Sequence, residues 1–170
     1  MPNLQDSMST IAEELAAEPN MLTVYGVKLE IDTTPTSPQP TFAELCAGIE
    51  NLEEALNETV QQYFFLCGKG MANNFVTALA PAYTLTGRRI LGDTAQDFIF
   101  GPTVKYGTMK ARQTHARLTV STADSTEVIS ANVTLAALTE INGAVTDGSE
   151  INIELRFDGA IVNGDAWATE

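Results

Sequence analysis

Histidine, tryptophan and cysteine are scarce in this chain. Its 170 residues contain one histidine, His115, one tryptophan, Trp167, and two cysteines, Cys46 and Cys67. The cysteines are far apart in sequence and no second histidine exists, which excludes a Cys/His zinc set and leaves His115 without a partner for a proton relay. We expect His115 at the surface or in an interface. Both cysteines are predicted to be reduced core residues, with a disulfide between neighbouring antiparallel strands as the alternative.

Common catalytic and nucleotide-binding motifs are also missing. The sequence has no GxSxG, GxxxxGK[ST], HExxH or DxDxDG pattern. Gly68-Lys69-Gly70 superficially resembles a phosphate loop, but Tyr63 stands where that loop needs a glycine and Gly70 where it needs serine or threonine. The segment is therefore interpreted as a turn. We predict no catalytic residue, no cofactor and no metal site, so the chain is not expected to be an enzyme.

Long apolar runs do not occur either. No stretch reaches the roughly 18 uninterrupted apolar residues that cross a bilayer. The N-terminal sequence MPNLQDSMSTIAEELAAEP lacks the basic region and the continuous apolar region of a secretory signal. We expect no membrane anchor and a protein that stays in the cytoplasm where it is made.

Basic residues are few, and their distribution is uneven. The chain contains nine lysines and arginines and 22 acidic residues, which gives a formal net charge of -13. This balance argues against a protein that binds DNA by neutralising phosphates. Residues 1–60 contain Lys28 as their single basic residue, whereas six basic residues lie in 88–117. An acidic patch on one copy could therefore contact the basic patch on another copy. The alternative is that the charges are unevenly distributed over a surface that contacts only water.

Alternating apolar and polar residues dominate what the chain does contain. Period-two alternation occurs in residues 22–32, 115–121, 127–137 and 150–158, which predicts half-buried strands. In the last of these, one face carries Ile151, Ile153, Leu155 and Phe157, and the other Asn152, Glu154, Arg156 and Asp158. Residues 33–41 are rich in proline and threonine and predict an extended loop. Pro81 divides residues 75–90 into two short strands or one bent strand.

Helical signals are few and short. Asp93 and Gln96 have capping-box spacing, and Gly101-Pro102 ends the apolar face, which predicts a two-turn helix at about residues 93–100. Residues 9–18, with Ser9 as a possible cap, predict a short helix or a mobile arm. Residues 41–60 are ambiguous, since their three- and four-residue apolar spacing favours a helix while Gly48 and the aromatic residues that follow favour strands.

These elements predict an α+β fold that is mainly β, an antiparallel sheet system with one short flanking helix. Residues 1–20 are assigned to an N-terminal arm or short helix, and residues 21–170 to a single β domain.

One segment carries a family resemblance. Residues 83–100, YTLTGRRILGDTAQDFIF, join an aromatic-led strand ending in glycine and two arginines to a capped helix that starts Ala-Gln-Asp-Phe. This order resembles the major tail tube proteins of long-tailed, siphovirus-type bacteriophages. The preceding AELCAGIENLEEALNETVQQYFFLCGKGMANNFVTALAPAYTLTG and the following LTVSTADSTEVISANVTLAALTEINGAVTDG are similar to the strands on either side in that family. The resemblance spans about residues 22–160.

The resemblance implies a β-sandwich or partial barrel, strand-loop-strand in residues 41–60, and hexameric rings that stack into a conduit. It further implies a place in the virion tail, assembly in the host cytoplasm, and contacts with tape-measure, tail terminator and distal tail or baseplate proteins. DNA would pass through without specific binding.

Charge suggests which residues serve such a tube. An acidic wall does not hold DNA phosphates, and the candidate channel acids are Glu50, Glu54, Glu58, Asp124 and Glu127. The candidate subunit contacts are Arg88, Arg89, Arg112 and Arg117. Two other functions remain open: a monomeric, acidic β-sandwich ligand-binding module, against whose sugar-binding form the single tryptophan counts, and a tube protein of a contractile tail or secretion system.

Overall fold

The computed structural model describes residues 21–122 and 124–167. These residues form nine strands, two short α-helices and three single 3-10 turns. The predicted arm at residues 1–20 lies outside the described residues. The strands are β1 Val27–Asp32, β2 Phe42–Glu44, β3 Ile49–Ala55, β4 Thr59–Phe64, β5 Ala72–Ala78, β6 Ala82–Arg88, β7 Gln113–Ser121, β8 Thr126–Thr139 and β9 Glu150–Asn163. The helices are α1 Thr94–Ile99 and α2 Pro102–Lys105.

Seven of the strands form one antiparallel sheet in the order β2-β1-β7-β8-β9-β6-β3, and β4 and β5 form a separate two-stranded hairpin. The predicted mainly β fold is confirmed, in its partial-barrel form, because the seven strands make one continuous curled sheet. Strands β8 and β9 are longer than predicted and pair from Ile129 with Asn163 to Thr139 with Asn152.

The apolar core lies on one face of this sheet. Alternate residues of β6, β7, β8 and β9 point toward it, including Leu85, Leu118, Val133 and Ile153, and the predicted apolar face of residues 150–158 is confirmed. Helices α1 and α2 contribute Ala95, Ile99 and Val104 to the same cluster. The helices therefore cover one face of the sheet, and the opposite face carries the polar residues of each strand.

Strand β1 departs from the expected half-burial. It begins at Val27, after a 3-10 turn over Val24–Gly26, and Leu29 through Asp32 are all buried. Glu30 and Asp32 lie on the polar side but are covered, because Arg117 and His115 of β7 pair with them. Charge pairing across strands has removed the solvent exposure that alternation alone predicts.

The ambiguous segment 41–60 forms strands, as the family resemblance implied. Strand β3 pairs with β6 and β4 pairs with β5. Cross-strand pairing supplies the backbone hydrogen bonds that a helix would otherwise make, and tertiary context outweighs helix propensity. Pro81 separates β5 from β6, which confirms the predicted break in residues 75–90.

Helix α1 has the predicted cap: the Asp93 side chain accepts a hydrogen bond from the Gln96 backbone N–H at 2.9 Å. The Gly101-Pro102 pair ends this helix and also begins α2, which was not predicted. Proline at the first helical position needs no hydrogen-bond acceptor for its nitrogen and has a preset φ angle.

The prediction that both cysteines are core residues is wrong. Cys46 and Cys67 are exposed and unpaired. Cys46 lies in the turn between β2 and β3, and Cys67 lies in the 3-10 turn that joins β4 to β5. Neither turn has a sheet face to pack against, so the usual burial of cysteine is not realised.

Candidate assembly surfaces

The hairpin of β4 and β5 is the most exposed part of the fold. Within residues 21–122 and 124–167 it pairs with no other strand, and every residue of both strands is exposed. Residues 59–79 contain a single charged residue, Lys69, although the chain as a whole has 22 acids. A two-stranded hairpin is marginally stable on its own, and exposed apolar surface of this kind marks an interaction site.

Both faces of the hairpin are uncharged. One face carries Val60, Phe64 and Val76, together with a Gln62–Asn74 amide hydrogen bond of 3.1 Å. The other carries an aromatic cluster in which the Tyr63 ring lies 6.3 Å from Phe65 and 6.1 Å from Phe75. A hairpin bound on one side only would keep a charged face toward water, so this pattern indicates contact on two sides.

The hairpin tip is a tight turn. Leu66–Gly68 form a 3-10 turn, and Lys69 and Gly70 have positive φ angles of 51° and 82°. Leu66 is 99% exposed, and Met71 is also exposed. The tip therefore presents apolar side chains around one positive charge.

A groove of about 370 Å³ separates the two ends of the curled sheet. Its floor is formed by Leu29 of β1, Leu52 of β3 and Leu85 of β6. Glu44, Cys46 and Glu50 line its rim. Strand β3 is the last strand of the sheet, and its outer edge pairs with no strand among the described residues.

The polar face of the sheet lies opposite the helices. Its central residues are threonines and asparagines with scattered charges, among them Thr84, Thr86, Asn152, Glu53 and Glu154. Arg156 pairs with Glu154 at 3.0 Å. The face is therefore hydrophilic without a strong positive potential.

At one end of this face, Asp32 organises the loop at 33–41. Its fully buried carboxylate accepts hydrogen bonds from the backbone N–H groups of Thr34 at 2.8 Å and Thr41 at 2.9 Å. The second oxygen lies 2.9 Å from Nδ1 of His115, whose ring packs 4.8 Å from Trp167. His115 is half-buried and holds the loop and the end of the chain against the sheet.

Arg117 joins three parts of the fold. Its guanidinium pairs with Glu30 at 2.9 Å and with Asp165, and it lies 4.5 Å from the centre of the Phe42 ring. Burial opposes ionisation of Glu30, but the hydrogen bonds from Arg117 and Lys28 outweigh it and lower the pKa of this carboxyl group.

The other three candidate contact arginines also have partners within the subunit. Arg89 pairs with Asp97 at 2.6 Å and Glu140 at 3.1 Å. Arg112 donates to the Gly107 carbonyl at 3.0 Å. The Arg88 side chain is 40% exposed and lies 3.4 Å from Glu50 and 3.4 Å from Glu150. Their role in subunit contacts remains a prediction.

The five candidate channel acids do not form one cluster. Glu50 lies beside Arg88, at a bulge between β3 and β6. Glu54 accepts a hydrogen bond from the Tyr83 hydroxyl, and burial together with this bond raises the pKa of Tyr83. Glu58 is in the β3–β4 loop, Asp124 in the β7–β8 turn, and Glu127 in β8, in phase with the apolar residues. Their place in a channel is untested.

From the sequence we did not predict that the hairpin is an exposed, uncharged surface, nor that Glu53 belongs to the polar face of the sheet. The available signal for the hairpin was the lack of acids across residues 59–79 in a strongly acidic chain.

Solved structures share this architecture. The SPP1 tail tube, determined by solid-state NMR and cryo-EM, matches 85% of this chain and 80% of its own with a TM-score of 0.61 at 16% identity. The chain has the tail tube fold. The tail of an empty gene transfer agent particle, refined helically with C6 symmetry, matches 85% of this chain and 100% of its own, with a TM-score of 0.58 at 13% identity. A native gene transfer agent virion gives a TM-score of 0.56 at 12% identity.

No protein-family model matches the sequence, and no curated protein sequence is significantly similar to it. None of the helices in the described part of the chain has the length and apolar character needed to span a bilayer.

Proposed function

We propose that this protein is the structural subunit of a phage-type tail tube, in which hexameric rings stack into a conduit for genome delivery. The observation that carries the proposal is the exposed, uncharged hairpin on a tail tube fold. An isolated subunit would expose both apolar faces of this hairpin to water. In a stack of rings, neighbouring copies of the same chain lie on more than one side of the hairpin and can cover both faces.

The exposed hairpin also argues against the alternative function, a monomeric ligand-binding module. A monomer that exposes Phe64, Phe65 and Leu66 in water would be prone to aggregation. Six-fold symmetry is proposed by analogy with the C6 tail of the gene transfer agent particle.

The polar face of the sheet is proposed to line the channel. The opposite face is occupied by the core and the helices, so the polar face is the one suited to a water-filled space. Its threonines and asparagines and its partly compensated charges give DNA phosphates little to bind, and excess acid adds a weak repulsion. DNA would then slide along the wall without specific binding.

The proposed role implies a place in the virion tail and assembly in the host cytoplasm. Tape-measure, tail terminator and distal tail or baseplate proteins would be its partners beyond its own copies. The role requires no catalytic group and no cofactor.

Electron microscopy of the purified full chain tests the proposal. Rings or tubes with six-fold symmetry are expected as concentration rises, with a matching increase in sedimentation coefficient. A chain that stays monomeric at all accessible concentrations and salt levels, including in the presence of a tail initiator complex, would contradict the proposal.

A further inference from the structure

We propose that the hairpin tip of one copy docks into the groove between β1 and β3 of a neighbouring copy. The tip is residues 64–71, and the groove is the cleft whose floor is Leu29, Leu52 and Leu85. This inference rests on the proposed function, because it requires that copies assemble.

The apolar surfaces of the two sites are complementary. Leu29 and Leu85 are only 2% and 1% exposed, yet they form the groove floor, so the groove opens directly onto the core. Its volume of about 370 Å³ falls within the roughly 300–1,000 Å³ of clefts that bury ligands. At the tip, Leu66 is 99% exposed and Phe64 64%, so both apolar side chains are largely uncovered within their own subunit.

Charge favours the same pairing. Lys69 is the single charged residue in 59–79, and it lies at the tip. The groove rim carries Glu44 and Glu50, whose side chains are both well exposed. Within the subunit Glu44 has only a long contact to Lys28, at 4.0 Å, and Glu50 an exposed pair with Arg88 at 3.4 Å, so both carboxylates still face solvent. Such rim pairs orient a contact more than they strengthen it.

Backbone shape supports the docking. The left-handed conformations of Lys69 and Gly70 reverse the chain in a tight turn, which makes the tip narrow. The groove lies beside the outer edge of β3, which no strand of the described residues covers, and proteins generally cover an open sheet edge.

The two cysteines make it possible to detect this contact by cross-linking. Cys67 is in the tip, Cys46 is on the groove rim, and both are exposed and unpaired. Docking brings one residue of each kind, from different copies, into the same interface. The native chain, which has no other cysteine, therefore supplies its own cross-linking pair.

Cross-linking of preassembled tubes tests the proposal. Copper-phenanthroline oxidation, which removes two electrons and two protons per disulfide, and a short bismaleimide are applied in parallel, so that strict disulfide geometry is not required. We expect covalent ladders of the chain on non-reducing gels. Cys46→Ser or Cys67→Ser alone should abolish them, and tubes mixed from these two variants should yield dimers only.

A charge exchange provides an independent readout. Lys69→Glu should raise the critical concentration for assembly roughly two- to fivefold, the range expected for loss of an exposed ion pair. Adding Glu44→Lys and Glu50→Lys should restore it. Thermal unfolding of the unassembled Lys69→Glu variant should match that of the wild type, because Lys69 is exposed in the subunit.

Several results would overturn the docking. Tubes that form normally but give no Cys46–Cys67 link with either reagent would refute it while leaving the tube function intact. A link within one chain, or a link from Cys46 to Ser9→Cys in a Cys67→Ser background, would assign the groove to the chain's own hairpin or to residues 1–20. Failure of the wild-type chain to form any tube would refute the proposed function and the docking together.

Discussion

The side-chain amide of Gln96 donates a hydrogen bond to the backbone carbonyl of Ala47 at 2.6 Å. The same side chain accepts a hydrogen bond from the Ile90 N–H at 2.9 Å and is fully buried. Gln96 thereby links helix α1 to the turn that precedes β3 and to the residues that directly follow β6. A residue predicted only as part of a capping box is in fact a central polar link of the fold.

Replacing Gln96 with leucine should destabilise the subunit by about 2–4 kcal/mol, because buried backbone groups at Ala47 and Ile90 lose their partner. Denaturant unfolding of the unassembled protein measures this change. Thr94→Ala, at an exposed position of the same helix, is the control and should change stability little. A neutral Gln96→Leu variant would show that these backbone groups find water or another partner.

Glu140 should make stability depend on pH. The hydrogen bond from Lys105 lowers the pKa of Glu140, burial opposes this effect, and Arg89 adds to it. Since the folded pKa lies below the ordinary value of 4.5, the ionised carboxylate stabilises the fold above that pH. The contribution is lost as the pH falls through the folded pKa.

Glu140→Gln should therefore lower the melting temperature by about 2–4 °C at pH 7 and by progressively less toward pH 3. Differential scanning calorimetry across this range measures the difference. Asp147→Asn, on an exposed loop, should show no such convergence. A constant difference between wild type and Glu140→Gln at all pH values would contradict the ionic origin.

Gly87 should not tolerate a side chain. A Cβ atom at this position would lie 2.1 Å from the Gly48 carbonyl oxygen, at the bulge where β3 meets β6. We expect Gly87→Ala to cost about 2 kcal/mol or more, because the clash is with backbone. Gly148→Ala meets nothing closer than 4.0 Å and serves as the control in the same unfolding measurement. Equal stability of the two variants would contradict the close approach.

The two hairpin faces can be tested separately. Phe64→Ser alters one face and Phe75→Ser the other, and each should raise the critical concentration for tube formation without lowering the melting temperature of the subunit, because both side chains are exposed there. Val145→Ser removes an apolar side chain that is even more exposed and lies outside the hairpin, and it should leave assembly intact. If only one of the hairpin variants affects assembly, the hairpin is covered on one side.

Charge on the polar face should govern DNA passage. Glu53→Lys combined with Glu154→Lys should leave tubes intact but slow genome delivery, because the added positive charges would bind phosphates. Ejection kinetics of particles carrying this variant measure the effect, with Asp147→Lys on an exposed loop as the control. Normal ejection would show that these residues lie outside the channel or that wall charge does not limit passage.

Much of the fold could be predicted from local pattern. The alternation of apolar and polar residues predicted β7, β8 and β9, and the capping residue Asp93 before an apolar helical face predicted α1. Both signals depend only on residues that are close in sequence. Residues 41–60 show the limit: their spacing favoured a helix, and the strand-loop-strand assignment came from a family resemblance and not from the residues themselves. The partners that stabilise those strands are β5 and β6, which lie further along the chain.

The candidate sites were less predictable, for the same reason. The expected subunit contacts of Arg89 and Arg117 stay predictions, but nothing in the sequence indicated their acidic partners within the chain, which only the folding of distant segments brings near. The cysteines were expected in the core because of their residue type, whereas their turns place them outside it.

By itself, then, the sequence determined a mainly β, acidic chain with one capped helix and without recognisable catalytic motifs, since composition and period-two alternation are local properties. Only the tertiary structure decided that the seven strands form a single curled sheet, that Glu30 and Asp32 are buried, and that β4 and β5 project as an uncharged hairpin. Those outcomes depend on which distant strands pair and on which charges meet across them. A strand's own residues do not encode that choice, because the same alternation fits many partners and registers.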